Sequence, residues 1–420
     1  MIPGNMNSSV LLGLVTDTHF WPASAARSAF TQLTDSASER DGLLVARSPL
    51  IVSTLLGELV EFSANGGAAA IHVGDAGCGG GGFHQPPVEH ASSLMALRTL
   101  EAAALPTGFL HHIPGNHDLA PTPTGGLDAW QHALGPQPPG AAFVAGAPTR
   151  LAYRKLHLDG HPASASWRVL LLDSTDGVAT DADGHGAIGA AQLAWLEESL
   201  QAAERQRLSV VLCMHQLLVD PSSAAEMDDE ERRRRRGKGS IGSGVGGSAW
   251  LHPVANSAPS WIAEGDMVKN RAEVLRVLGR YSRVVRLSLH GHVHANTVTR
   301  WRGIPFVTLS STTEWPLQWH SLQLEACGAF TLQQHDLNLA DAVREESRAR
   351  DTRPGRNRIK LGSAARQIHT ASSRSNSSLG GGEVRSMVEH EHDVVSRLSA
   401  ADVATASGSA TTLEVNTCTF

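Results

Sequence analysis

Five apolar runs in this chain each end in side chains that could do chemistry. VLLGLV (10–15) leads to Thr-Asp17-Thr-His19, and AAAIHV (68–73) leads to Gly74-Asp75. GFLHHI (108–113) leads to Pro-Gly-Asn116-His117-Asp118, SVVLCM (209–214) to His215, and RVVRLSL (283–289) to His290-Gly291-His292-Val-His294. Aspartate, histidine and asparagine without cysteine make an oxygen and nitrogen donor set, suited to manganese, iron or zinc. A central carboxylate in such a set can bridge two ions. Two divalent ions about 3.5–4 Å apart can share a hydroxide, lower its pKa and clamp the oxygens of the phosphorus it attacks. That chemistry is hydrolysis of a phosphoester or phosphoanhydride.

The elements that must position these side chains are legible in the same runs. Each run is rich in Val, Ile and Leu, as a strand buried on both faces should be. A sixth, RVLLL (168–172), has the same character. Between them lie stretches with apolar residues three and four apart, at 48–64, 91–103, 190–206 and 267–282, which predict helices. Strand, helix, strand predicts an α/β sheet, and in open α/β sheets sites form at the carboxyl ends of strands. After residue 295 the pattern changes to short alternating strands, NTVTRW, IPFVTLSS, HSLQLEA and AFTLQQHDL, which predict antiparallel structure closing the domain near residue 340.

Asp-x-His, Gly-Asp, Gly-Asn-His-Asp, a lone His after a strand and Gly-His-x-His, in that order, resemble the calcineurin-like metallophosphoesterase superfamily. The resemblance covers residues 10–330 and implies a four-layer α/β/β/α sandwich. It implies that Asp17, His19 and His294 hold one metal and Asn116, His215 and His292 the other, with Asp75 bridging both. His117 would be the non-ligand catalytic histidine that protonates the leaving oxygen. The implied cofactors are two divalent metal ions, manganese first, with iron or zinc as alternatives.

A finer resemblance runs through GAIGAAQLAWLEESLQ, NRAEVLRVL and GIPFVTLSSTTEWP. These are arranged like their counterparts in manganese-dependent ADP-ribose/CDP-alcohol diphosphatases, which implies a small, phosphorylated, nucleotide-like substrate. A cyclic nucleotide phosphodiesterase or a protein phosphatase of the same superfamily is the alternative activity. A metal-binding scaffold module is the non-enzymatic one. Two positions depart from the superfamily pattern. Cys78 stands where many relatives carry a second acidic residue, leaving the orienting partner of His117 unidentified. His215-Gln216-Leu217 replaces His-x-Pro, with proline delayed to Pro221. His72, His111 and His112 lie within or beside predicted strands and are expected to be structural, His290 is a weaker ligand candidate, and Asp118 is expected to bond its own turn.

Composition bounds the rest. A chain of 420 residues with 41% hydrophobic residues can bury one large core. The formal charge of −6 gives no global attraction to nucleic acid or to anionic membrane. Cys78, Cys213, Cys327 and Cys418 form no Cys-x-x-Cys pair, which suits a reducing compartment. No signal-peptide pattern and no membrane-length apolar run is found, so a cytoplasmic protein is expected. The metallophosphoesterase domain is expected over 1–340, interrupted by a charged, Gly/Ser-rich insert at 222–250. Residues 341–420 have the composition of a disordered tail.

Overall fold

A computed structural model describes residues 9–22, 44–79, 87–119, 127–135, 152–158, 161–176, 186–221, 266–351, 367–369 and 410–415. The first half alternates strands and helices: β1 (Ser9–Val15), α1 (Ser48–Ala64), β2 (Ala69–Val73), α2 (Pro87–Ala104), β3 (Leu110–Ile113) and α3 (Asp128–Ala133). There follow β4 (Arg154–Leu156), β5 (Trp167–Leu171), α4 (Ala190–Arg205), β6 (Ser209–Cys213), α5 (Arg271–Arg280) and β7 (Val285–His290). Four strands come next, β8 (Thr297–Trp301), β9 (Ile304–Thr308), β10 (Gln318–Glu325) and β11 (Phe330–Asp336), and then α6 (Asp341–Arg350). Two further strands, β12 (Gln367–His369) and β13 (Ala410–Val415), extend one sheet edge beyond β11.

The strands form two sheets, ordered β12-β13-β11-β10-β1-β2-β3 and β4-β5-β6-β7-β9-β8. Alternation along each strand builds the layers. In β6, Val211 and Cys213 enter the core between the sheets, where they join Leu12, Leu14, Ile71, Val73, Leu287, Leu289 and Val307. Its other face carries Val210 and Leu212 into a second core under α4 and α5, with Leu196, Leu200, Val274 and Leu278. On the far side, α1 lays Ile51, Val52, Leu55, Leu56 and Leu59 against the outer face of the first sheet, at the three- and four-residue spacing of a helical stripe. Each such side chain contributes about 1.5–3 kcal/mol when fully buried. The result is a four-layer α/β/β/α sandwich.

Two sequence expectations are refined. The strands after residue 295 do not form one antiparallel unit. The β8–β9 hairpin joins the second sheet, with β9 parallel to β7, whereas the β10–β11 hairpin joins the first, with β10 antiparallel to β1. Local alternation specifies a hairpin but not the sheet that receives it. The expected insert at 222–250 lies outside the described residues, as does most of 341–420. Of that second segment, α6 packs on the domain through buried Val343 and Ser347, beyond the boundary expected at 340.

No described helix is long and apolar enough to cross a membrane.

Candidate metal centre

Strands β1, β2 and β3 run parallel in one sheet, and β5, β6 and β7 run parallel in the other. Their carboxyl ends therefore meet at one end of the sandwich. Each proposed ligand lies just past its strand: Asp17 and His19 after β1, Asp75 after β2, Asn116 after β3, His215 after β6, His292 and His294 after β7. Five of these residues leave the strand through a left-handed backbone conformation, with φ of 53° at Asp17, 40° at His19, 56° at Asp75, 71° at His292 and 52° at His294. Such φ values are uncommon for residues with a side chain and persist only where surrounding structure imposes them. At Asp17 the restraint is visible. Ser311 and Thr313 hydroxyls donate to its carbonyl at 2.8 and 3.0 Å, and the Thr16 hydroxyl donates to its carboxylate at 2.6 Å.

All the predicted ligands are brought together. Asp17, His19, Asp75 and His294 present donor atoms within 4.8 Å of one another, and so do Asp75, His215 and His292. Asp75 belongs to both groups. His294 Nε2 lies 3.1 Å from Asp17 Oδ1 and 3.1 Å from His19 Nε2. His215 Nε2 lies 3.0 Å from Asp75 Oδ2 and 3.2 Å from Asn116 Oδ1. His215 Nδ1 is turned to the Val73 carbonyl at 2.8 Å, which fixes the ring with Nε2 facing inward. His292 Nε2 is buried with no hydrogen-bond partner among the described residues.

The electrostatics fit a cationic occupant. Burial would raise the Asp17 and Asp75 carboxyls, yet surrounding histidines hold both well below the usual carboxylate range: chiefly His294 and His215 for Asp17, His215 and His117 for Asp75. Burial would lower His215, but the two carboxylates, Asp75 first, carry it up to about 9. Burial takes His19 and His292 down to about 3, which favours the neutral imidazole that a metal requires. Two buried carboxylates ringed by imidazole nitrogens form a donor set of the right hardness for two divalent ions.

Glycines explain the motif spacing. A Cβ on Gly115 would run into the Asp75 carboxylate and lie 2.6 Å from the Asp75 backbone nitrogen, and one on Gly291 would lie 2.8 Å from Asp17 Oδ2. The backbone at both positions must approach a carboxylate more closely than any side chain allows.

His117 sits beside the two groups, half-buried, its ring 5.0 Å from that of His19 and its backbone N–H donating to Asp75 Oδ1 at 2.8 Å. Asp118 does more than close its own turn. It accepts the Gly115 N–H and the Gly77 N–H, both at 2.9 Å, tying the loop after β3 to the loop after β2. Cys78, at the position expected to be acidic, donates its thiol to the His19 carbonyl at 3.0 Å and so fixes a ligand loop rather than His117. Gln216, in place of the residue before proline, is buried and bonded to the Ser174 hydroxyl. His72 and His112 belong to neither donor group, their Nε2 atoms being on the Thr18 hydroxyl and the Glu101 carboxylate. His290 is spent on the Gln216 carbonyl and the Ser288 hydroxyl.

One residue of the centre was not assigned from sequence. Glu314, fully buried, places its carboxylate on His294 Nδ1. It stands in the SSTTEWP stretch, and a lone acid inside a run of hydroxyl residues was the available signal. Gln192 is a latch: its amide pairs with both the N–H and the carbonyl of Asp173, each at 2.8 Å.

No protein-family model matches this sequence, and no curated protein matches it. Among solved structures, the chain is similar to a dimetal phosphatase from Danio rerio, at 14% identity and a TM-score of 0.45, covering 77% of this chain and 95% of that one. It is similar to the anchor in the inner membrane complex of Plasmodium, at 9% identity and 0.40, covering 79% and 85%. It is also similar to phosphopantetheinyl hydrolase from Mycobacterium tuberculosis, at 13% identity and 0.30, covering 73% and 91%.

Proposed function

We propose that this protein is a binuclear metal-dependent phosphohydrolase that cleaves a phosphoanhydride or phosphodiester bond in a small, nucleotide-like substrate such as ADP-ribose or a CDP-alcohol. The observation that carries the proposal is the pair of donor groups sharing one carboxylate, Asp75. Asp17, His19 and His294 would hold one ion, Asn116, His215 and His292 the other. When bound, such a pair supplies Lewis acidity, activating water and neutralising phosphoryl charge. The chain supplies the rest. Asp75 would be shared by the two positions, and its Oδ1 accepts the backbone N–H of His117, which orients the loop carrying that imidazole. His117, exposed enough to reach a substrate, then delivers a proton to the leaving oxygen.

The diphosphate substrate rests on the resemblance through Gly189, Gln192, Trp195, Glu314 and Pro316. A nucleoside diphosphate ester offers two phosphoryl groups to the centre and an outer group to its rim. The test is a panel of ADP-ribose, CDP-choline, cyclic AMP and a phosphopeptide, with protein stripped by chelation and reloaded with manganese. Stripped protein is expected to be inactive, and reloaded protein to favour the diphosphates in kcat/KM. A tenfold preference for cyclic AMP or the phosphopeptide, about 1.4 kcal/mol in transition-state binding, removes the diphosphatase assignment and leaves the metal-dependent one. Full activity with no metal bound removes both.

A further inference from the structure

The carboxylate of Glu314 has no place in either donor group, yet it is fully buried beside the centre. Burying a carboxylate is costly unless it is bonded to something that needs it. It is bonded to Nδ1 of His294, whose Nε2 faces Asp17 Oδ1 and His19 Nε2 at 3.1 Å each. With Nδ1–H committed to Glu314, Nε2 is the nitrogen left to face a cation, and a flip of the ring would break that bond.

The segment that holds Glu314 is itself held from the C-terminal side. The Leu317 N–H donates to the Glu314 carbonyl at 2.7 Å, the Leu337 N–H donates to the Leu317 carbonyl at 3.0 Å, and Arg344 of α6 donates to the Leu337 carbonyl at 3.0 Å. Next to Glu314, the Trp315 ring lies under two cations from successive turns of α6, Arg344 at 5.9 Å and Arg348 at 5.8 Å from its centroid. From these placements we infer that Glu314 is a positioning residue that fixes the ring of His294 for the first cation, and that α6 holds Glu314 in place through Trp315. This rests on the binuclear reading above. It makes a segment beyond residue 340 part of the centre's support.

The experiment uses the full chain in three variants, Glu314→Ala, Glu314→Gln and Trp315→Leu, with two readouts. The first is manganese affinity at each position, from competition with a chelator. Glu314→Ala is expected to weaken one ion by about 10–100-fold, the usual effect of removing such a partner, and to leave the other within about threefold. Glu314→Gln, which still accepts from Nδ1–H, is expected to recover most of that loss. Trp315→Leu is expected to weaken the same ion by a smaller factor. The second readout is the low-field Nδ1–H resonance of His294 in metal-free protein labelled with nitrogen-15 at histidine, assigned by its absence in His294→Gln. It should vanish in Glu314→Ala and persist in Glu314→Gln. Wild-type protein that binds no divalent ion overturns the binuclear reading and this one together. Two bound ions of which neither weakens in Glu314→Ala, with the resonance unchanged, overturn this one alone.

Discussion

Asp17 and Asp75 differ from Asp118 and Asp173 in the direction in which their surroundings shift the carboxyl pKa, although all four are buried. The first two are held well below the ordinary carboxylate range, because imidazoles of His294, His215 and His117 outweigh the cost of burial. The second two are pushed up to about 7. Burial dominates at both, with the Asp75 charge adding at Asp118, and backbone amides or a hydroxyl compensate only in part. Buried acids as such therefore do not mark a reactive centre. Convergent imidazoles set the candidate centre apart, and the same division separates the histidines. Those past strand ends point at one another's nitrogens and at shared carboxylates. Those within strands, His72 and His112, spend Nε2 on a hydroxyl or a carboxylate of the scaffold.

The strongest attempt to break this contrast is Asp75→Asn. The amide cannot supply a shared negative charge, so both ions and essentially all turnover are expected to be lost together, as read by metal analysis and steady-state rate. Next in size is His117→Ala, expected to keep both ions and lose about 10²–10⁴ in turnover. A substrate whose leaving group has a low pKa should recover part of that loss. Metal loss in His117→Ala would move His117 into the donor set.

The clustering of the proposed ligand positions was legible because every one follows an apolar strand, and parallel strands must bring their carboxyl ends to a common edge. The glycines of Gly-Asn-His-Asp and Gly-His-x-His were legible as motif, whereas their reason, close approach to Asp75 and Asp17, lies in the tertiary fold. Glu314 was not legible as a partner of His294, since the two are joined by a fold in which consecutive hairpins enter different sheets. No local pattern encodes that choice. The docking of α6 was illegible for a related reason: DAVREESRAR carries few apolar residues, yet the helix packs through Val343 and through ion pairs from Glu346 to Arg47 and from Arg344 to Asp336.

A smaller effect, with no change in ions, is expected from His112→Ala. The Glu101 carboxylate, nearly fully buried, would lose the imidazole 3.0 Å away, and the stacked His72 ring would face a cavity. Together these should cost about 2–4 kcal/mol of folding stability, seen as a lower denaturant midpoint at unchanged metal stoichiometry. Loss of an ion instead would erase the distinction between scaffold and centre.

The smallest effect is at Asp173, and its sign depends on pH. The carboxyl is raised from 3.8 to about 7 by burial, with only Thr175 amide and hydroxyl bonds on Oδ1 to offset it. A group raised in the folded state gives its full stability below the unfolded value and loses it as pH rises through the folded value. Wild-type stability should therefore carry a falling component between about pH 4 and 7 from this residue. Asp173→Asn keeps the Oδ1 acceptor and cannot ionise, so the variant should gain on wild type by about 1–2 kcal/mol between pH 5.5 and 8. Thermal unfolding of metal-loaded protein across that range measures it. Parallel curves for the two proteins would mean that Asp173 ionises as readily in the fold as outside it, and that burial does not separate this acid from those of the centre.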